Sequence, residues 1–161
     1  MEYRVFGAPR PGVDYGVRPG AYGVAFDGAG RAGMVFVHFA DSSVYILLGG
    51  GIEPGESEAE CLRREVMEEI GYPATVGEKV CVGEEYTFTR QGQVPFHPIG
   101  HIYLMELGEK AAQGEPGREL VWLPVEECRE KMALDYQSWA VEKAWELYQK
   151  RKKEKKHDNL R

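Results

Sequence analysis

Seven glutamates fall between Glu53 and Glu69, and three of them stand where a helix would gather them. At about 100° per residue, Glu65, Glu68 and Glu69 occupy one arc of roughly 100°. A solvated Glu-rich face is the ordinary alternative. Yet Glu65 and Glu69 border an apolar stripe of Ala59, Leu62, Val66 and Ile70, where clustered like charges repel and gain nothing structural. A hard divalent cation would resolve that conflict, because magnesium and manganese take carboxylate oxygens. Gly49, Gly50 and Gly51 lie just upstream. Backbone without Cβ atoms can approach a phosphate or offer its carbonyl to a metal.

The elements around these residues follow from patterning. Ser57 and Glu60 form a capping box, and the stripe from Ala59 to Ile70 runs at spacings of 3, 4 and 4. Gly71 then stops the helix and Pro73 prevents its resumption. Upstream, Ala21 to Asp27 alternates, with Tyr22, Val24 and Phe26 on one face, and Met34 to Phe39 resumes after turn residues. Val44 to Leu48 is a continuous apolar run, expected as a strand buried on both faces and ended by the glycines. Residues 1–19 read as a strand or an irregular arm. Downstream, 75–89 and 94–107 read as long strands joined by a hairpin at Arg90 to Gln93. A short strand at Leu120 to Leu123, a small helix from Pro124 to Met132 and a closing helix through Trp139, Ala140, Ala144 and Leu147 complete the chain. Strands with one central and two late helices predict a sheet sandwiched between helices.

Gly50, five residues, Glu56, seven residues, and then Arg64-Glu65-Val66-Met67-Glu68-Glu69-Ile70-Gly71-Tyr72 resembles the signature of the Nudix hydrolases, with every invariant slot filled. Leu48 and Tyr72 depart from common choices at positions that affect loop rigidity or packing. The closing Trp139-Ala140-Val141-Glu142-Lys143 is similar to bacterial members often labelled MutT-like. The resemblance implies an α/β/α sandwich with a mixed central sheet. It also implies hydrolysis of a nucleoside diphosphate linked to another moiety, by attack of water on phosphorus with Mg2+ or Mn2+ bound. By position, Glu65 and Glu69 would be the principal metal ligands, assisted by Glu68 and the Gly50 carbonyl, with Glu56 completing the metal shell or binding its waters. Arg64 would hold a box glutamate through a charge-assisted hydrogen bond; its alternative is a plain helix ion pair with Glu60 or Glu68.

Family members draw the catalytic base either from the box, here Glu68 or Glu69, or from outside it. Glu84 and Glu85 are the nearest external candidates, though both could simply face solvent. Substrate selectors are mixed: Tyr86, Phe88 and the face shared by His97, Ile99, His101 and Tyr103 could hold a base and its phosphates. If the four-residue turn is right, Tyr86 lies across from His97. Core packing for Tyr103 and an edge position for His97 are the plainer options.

The net charge of −6 is uneven. From Lys150 to Arg161 there are seven basic and two acidic residues, leaving −11 on the rest. An acidic body is poorly suited to sequence-independent nucleic-acid binding. The basic end, with no aromatic to stack on a base, reads as a solvated helix end or tail following a single domain over residues 1–149. Eleven per cent aromatics exclude a wholly disordered chain. Three scattered cysteines, Cys61, Cys81 and Cys128, read as reduced thiols of a cytoplasmic protein. No secretory signal and no membrane-spanning run is evident. The expected partner is a small nucleotide substrate, bound by the chain alone or as a homodimer. Two other readings stand beside it: a non-catalytic nucleotide sensor on the same fold, which would ordinarily lose box glutamates, and an enzyme acting on RNA 5′ ends through the basic tail.

Overall fold

The computed structural model describes residues 1–89 and 93–160. Among the described residues, two sheets and three α-helices make up the fold. Strands β1 (Glu2–Phe6), β2 (Gly16–Val24), β5 (Leu48–Gly51), β6 (Ala74–Glu85) and β8 (Pro95–Leu107) form a mixed sheet in the order β1-β6-β8-β2-β5, and β7 (Thr87–Phe88) pairs β8. The β1–β6 and β2–β8 pairs are parallel; the others are antiparallel. A smaller antiparallel sheet holds β4 (Ser43–Ile46), β3 (Arg31–His38) and β9 (Arg118–Pro124) in that order.

Helix α1 (Glu58–Ile70) covers one face of the mixed sheet and α3 (Asp135–Asn159) the other, with α2 (Cys128–Lys131) after a 3-10 turn at Val125–Glu127. The predicted sandwich with a mixed central sheet is therefore present. Two cores match the two faces. Under α1 lie Ala21, Leu48, Cys61, Leu62, Val66, Ile70 and Met105; under α3 lie Val24, Cys81, Ile102, Tyr136, Trp139, Ala140 and Val141. All three cysteines are buried thiols. Among the described residues no helix is long and apolar enough to cross a membrane.

Two expectations change. The apolar run from Val44 to Leu48 is not one doubly buried strand. Its first part, β4, is a half-buried edge of the small sheet. At Leu47 the backbone N–H leaves the ladder and donates to the Gln137 side chain of α3 at 2.9 Å, so the chain crosses into the mixed sheet. The glycines do not end a strand either: Gly49 to Gly51 belong to β5 and pair with Gly20 to Tyr22. Gly49 sits at φ +134°, and a Cβ there would stand 2.1 Å from the Ala21 carbonyl oxygen, which requires glycine. The hairpin expected at Arg90 to Gln93 lies largely outside the described residues; at its base the Thr89 N–H donates to the Val94 carbonyl at 2.7 Å.

Candidate functional site

Helix α1 is built as its sequence directs. The Ser57 hydroxyl accepts from the Glu60 N–H while the Glu60 carboxylate accepts from the Ser57 N–H, and Gly71 closes the helix in the left-handed conformation at φ 77°. Burying Leu62, Val66 and Ile70 sends Arg64, Glu65 and Glu68 toward the β5 edge.

There Arg64 gathers the acids. Its Nε and Nη2 fork onto Glu56 at 2.6 and 2.9 Å, and Nη1 reaches Glu65 at 3.0 Å and Glu68 at 3.1 Å. Nη2 also donates to the Gly51 carbonyl at 3.1 Å. The Glu68 contact is a helix ion pair, but the fork onto Glu56, eight residues earlier, is what defines the arrangement; Glu60 is engaged in the cap instead. These hydrogen bonds hold the Glu56 carboxyl down to about 2. Glu65 lies over Gly50, where a Cβ would stand 2.4 Å from its carboxyl carbon. Gly50 is thus a cradle for Glu65, and its carbonyl also takes a long contact of 3.4 Å from the Cys61 thiol.

Glu69 is placed differently. It is 5% exposed, its Oε2 accepts from Arg118 Nη1 at 3.0 Å, and its Oε1 lies 3.5 Å from the Gly49 N–H. Burial pushes its carboxyl up to about 8; Arg118 opposes that rise, while Glu65 and Glu115 add to it. Glu65 is likewise raised by burial. Carboxylate and carbonyl oxygens are the donors a hard cation takes, so Glu56, Glu65, Glu68, Glu69 and the Gly50 carbonyl are the groups that would hold a divalent metal; among the described residues, with Arg64 and Arg118 holding these carboxylates, no three acidic, histidine or cysteine side chains yet converge on a metal position.

The remaining sequence candidates divide by face. Glu84, Tyr86, His97, His101 and Tyr103 share the α1 face of β6 to β8. Glu84 and His97 pair at 2.6 Å, and Tyr86 stacks on His97 with centroids 4.1 Å apart, so the expected juxtaposition across the turn is present. His101 and Tyr103 meet α1 through Glu58 and Lys79: Tyr103 donates to Glu58 at 2.6 Å, and Lys79 lies 2.8 Å from Glu58 and 3.0 Å from His101. Phe88 packs edge-on against Tyr15 under the Arg10 guanidinium. Glu85 points to the opposite face, where it accepts from the Tyr136 N–H at 2.9 Å and caps α3, whose own N-cap residue, Leu134, supplies no side-chain bond. It is not brought to the box.

Sequence reasoning missed Arg118 and Glu115. Arg118 opens β9, and Glu115 lies in the segment between β8 and β9, which covers the end of α1: the Ala111 and Ala112 N–H groups donate to the Gly71 carbonyl and the Glu115 N–H to the Glu69 carbonyl. Gly114 permits that approach, since a Cβ there would stand 2.4 Å from the Glu69 carbonyl oxygen. The glycines at 114 and 117 were the available signal, but they mark a close turn rather than its partner.

A cleft of ≈ 630 Å³ opens between the two sheets. Arg18, Phe39, Phe88, Phe96, Leu134 and Arg118 line it, and Arg118 joins it to the glutamates. Phe88 thereby faces the cleft, whereas the Glu84–His97–Tyr86 group is not among its lining residues.

Solved structures repeat this architecture. The chain resembles the E. coli ORF135 protein (TM-score 0.63, 21% identity, covering 83% of this chain and 92% of that one). It likewise resembles a MutT NUDIX hydrolase from Burkholderia pseudomallei (TM-score 0.62, 20% identity, 79% and 97%). A UDP-X diphosphatase aligns with TM-score 0.60 at 19% identity, over 88% of this chain and 68% of that one. At these identities the likeness is one of fold. The NUDIX domain family itself matches residues 16–142, a span that holds the glycine strand, the glutamate helix and Arg118. With that match over most of its length, the chain belongs to the Nudix family of hydrolases, whose members typically use divalent metals.

Proposed function

We propose that the protein is a Mg2+- or Mn2+-dependent pyrophosphohydrolase that cleaves a nucleoside diphosphate linked to another moiety, by attack of water on phosphorus. One observation carries the reading: Arg118 hydrogen-bonds the deepest box glutamate and also lines a cleft large enough for a nucleoside, so carboxylates and cleft form one site. Glu56, Glu65, Glu68, Glu69 and the Gly50 carbonyl would hold the cation, which when bound supplies neutralisation of the pyrophosphate charge. Arg64 keeps Glu56, Glu65 and Glu68 oriented. Glu68, with its side chain 54% exposed, is the box carboxylate most open to water and takes the proton from the nucleophile. Glu84 is occupied by His97 and Glu85 by the cap of α3, which leaves them positioning duties. The cleft walls, Phe39, Phe88 and Phe96, take the base. The buried thiols suit a reducing, cytoplasmic setting. A screen of dinucleoside polyphosphates, nucleotide sugars and nucleoside triphosphates with released phosphate measured tests this. Activity on at least one class should vanish in chelator and return with Mg2+ or Mn2+; undiminished turnover in excess chelator would sink the scheme.

A further inference from the structure

Among the described residues lining the cleft there are two arginines and no acid, in a protein of net charge −6 whose Glu69 and Glu115 meet the cleft only through Arg118. That contrast asks for a ligand with an anionic group inside the cleft itself, not only at the carboxylate cluster. The two arginines differ in state. Arg18 is exposed and pairs with no carboxylate among the described residues. Arg118 is held twice, by Glu69 through Nη1 at 3.0 Å and by Glu115 through Nε at 3.0 Å, yet 31% of its side chain remains open. A guanidinium has five N–H donors in a planar fork that matches a phosphate edge, so two carboxylates do not exhaust it. Arg118 stands at the boundary between the carboxylates and aromatic walls that fit a planar ring.

We infer that Arg118 is the phosphate-positioning residue of the cleft: it exchanges Glu69 for an oxygen of the phosphate nearest the nucleoside, with Arg18 supplying further positive charge. The inference rests on the hydrolase reading above and deepens it by fixing which part of the ligand occupies the cleft: an aromatic ring carrying its own phosphate.

Binding measured by calorimetry in chelator removes metal and chemistry from the test. The probes are the four common ribonucleoside monophosphates and the matching nucleosides. Arg118→Gln should weaken the best-bound monophosphate about tenfold while changing its nucleoside less than about twofold, and Arg118→Lys should recover part of the loss. Because Arg118→Gln leaves Glu69 without its cation and could unfold the chain, a Glu69→Gln background provides a neutral pair. In it the monophosphate should bind severalfold more tightly than to wild type, since Arg118 is released, and adding Arg118→Gln should abolish that gain. Equal weakening of nucleotide and nucleoside, or no gain in Glu69→Gln, would overturn the assignment. Arg118-dependent binding without hydrolysis of any substrate would instead remove the hydrolase reading and leave the cleft assignment standing. A wild-type protein that binds no monophosphate overturns the assignment directly.

Discussion

Glu69 answers to two opposing requirements, and their conflict is measurable. As a carboxyl it is buried deeply enough to keep its proton up to about pH 8, whereas in an unfolded chain it would lose it near 4.5. Between those values the folded state binds more protons than the unfolded one, so in metal-free protein this group makes stability fall as pH rises from about 4.5 to 8. Glu69→Gln removes that slope and the repulsion from Glu65 and Glu115. The variant should therefore gain stability over wild type in chelator between pH 4.5 and pH 8, by at most ~4 kcal/mol and less by what the lost Arg118 bond contributes. In the presence of Mg2+ its turnover should be lower by several orders of magnitude. Urea melts at both pH values check the first expectation; an unfolded variant, or turnover within a factor of two of wild type, would contradict the role of Glu69. The neighbouring Arg64→Lys cannot fork onto Glu56 while also reaching Glu65 and Glu68, so activity should fall about 10- to 100-fold, with helix content by circular dichroism unchanged.

At the scale of elements, what was legible was local. The cap, stripe and stop of α1 are written into Ser57, Glu60, Leu62, Val66, Ile70 and Gly71, which lie close together in sequence and act on one another directly. The grouping of the carboxylates was legible for the same reason, since Glu65, Glu68 and Glu69 share one helix, and Gly50 and Glu56 lie on the strand and loop just before it. What could not be read were partnerships set by the packing of distant segments: Leu47 with Gln137, Glu69 with Arg118, and Glu85 with the start of α3. Glu84 and Glu85 look alike in sequence, and only the pleat of β6 sends one toward His97 and the other toward Tyr136. Their substitutions should accordingly separate. Glu85→Ala strips the cap from a buried helix start and should cost ~1–2 kcal/mol of stability while leaving the rate per folded molecule unchanged. Glu84→Gln should leave the acid limb of the pH–rate profile in place, whereas Glu68→Gln should flatten it. A limb that disappears with Glu84 would move the base to β6.

Across the whole molecule, the basic end takes the first of the two forms expected of it, a solvated helix end. Helix α3 continues through it to Asn159, and Arg151 forks onto Glu78 of β6 at 2.9 and 2.7 Å. This exposed pair lies beside a groove of ≈ 400 Å³ that holds none of the box glutamates. Exposed ion pairs contribute little, and salt screens them within about 10 Å at 0.1 M. Deleting residues 152–161 keeps Arg151 and should leave kcat on small nucleotides unchanged, with less than ~1 kcal/mol lost in stability. A drop of more than about tenfold in kcat/KM on truncation would show that this end of the helix reaches the substrate, and would favour action on RNA ends.

The crossing of the chain at Leu47, fixed by Gln137 some ninety positions later, also orders events in time. During synthesis the glycine strand and glutamate helix leave the ribosome early, but the strand that pairs β2 in parallel, the arginine that meets Glu69 and the helix that holds Leu47 all arrive afterwards. Until they do, a cluster of acids waits on a helix with one wall missing. Such non-local pairings are slow to close. On the nascent chain the segment richest in acids is therefore complete in sequence before Arg118 and Gln137, which the finished site and the crossing at Leu47 require, have been made.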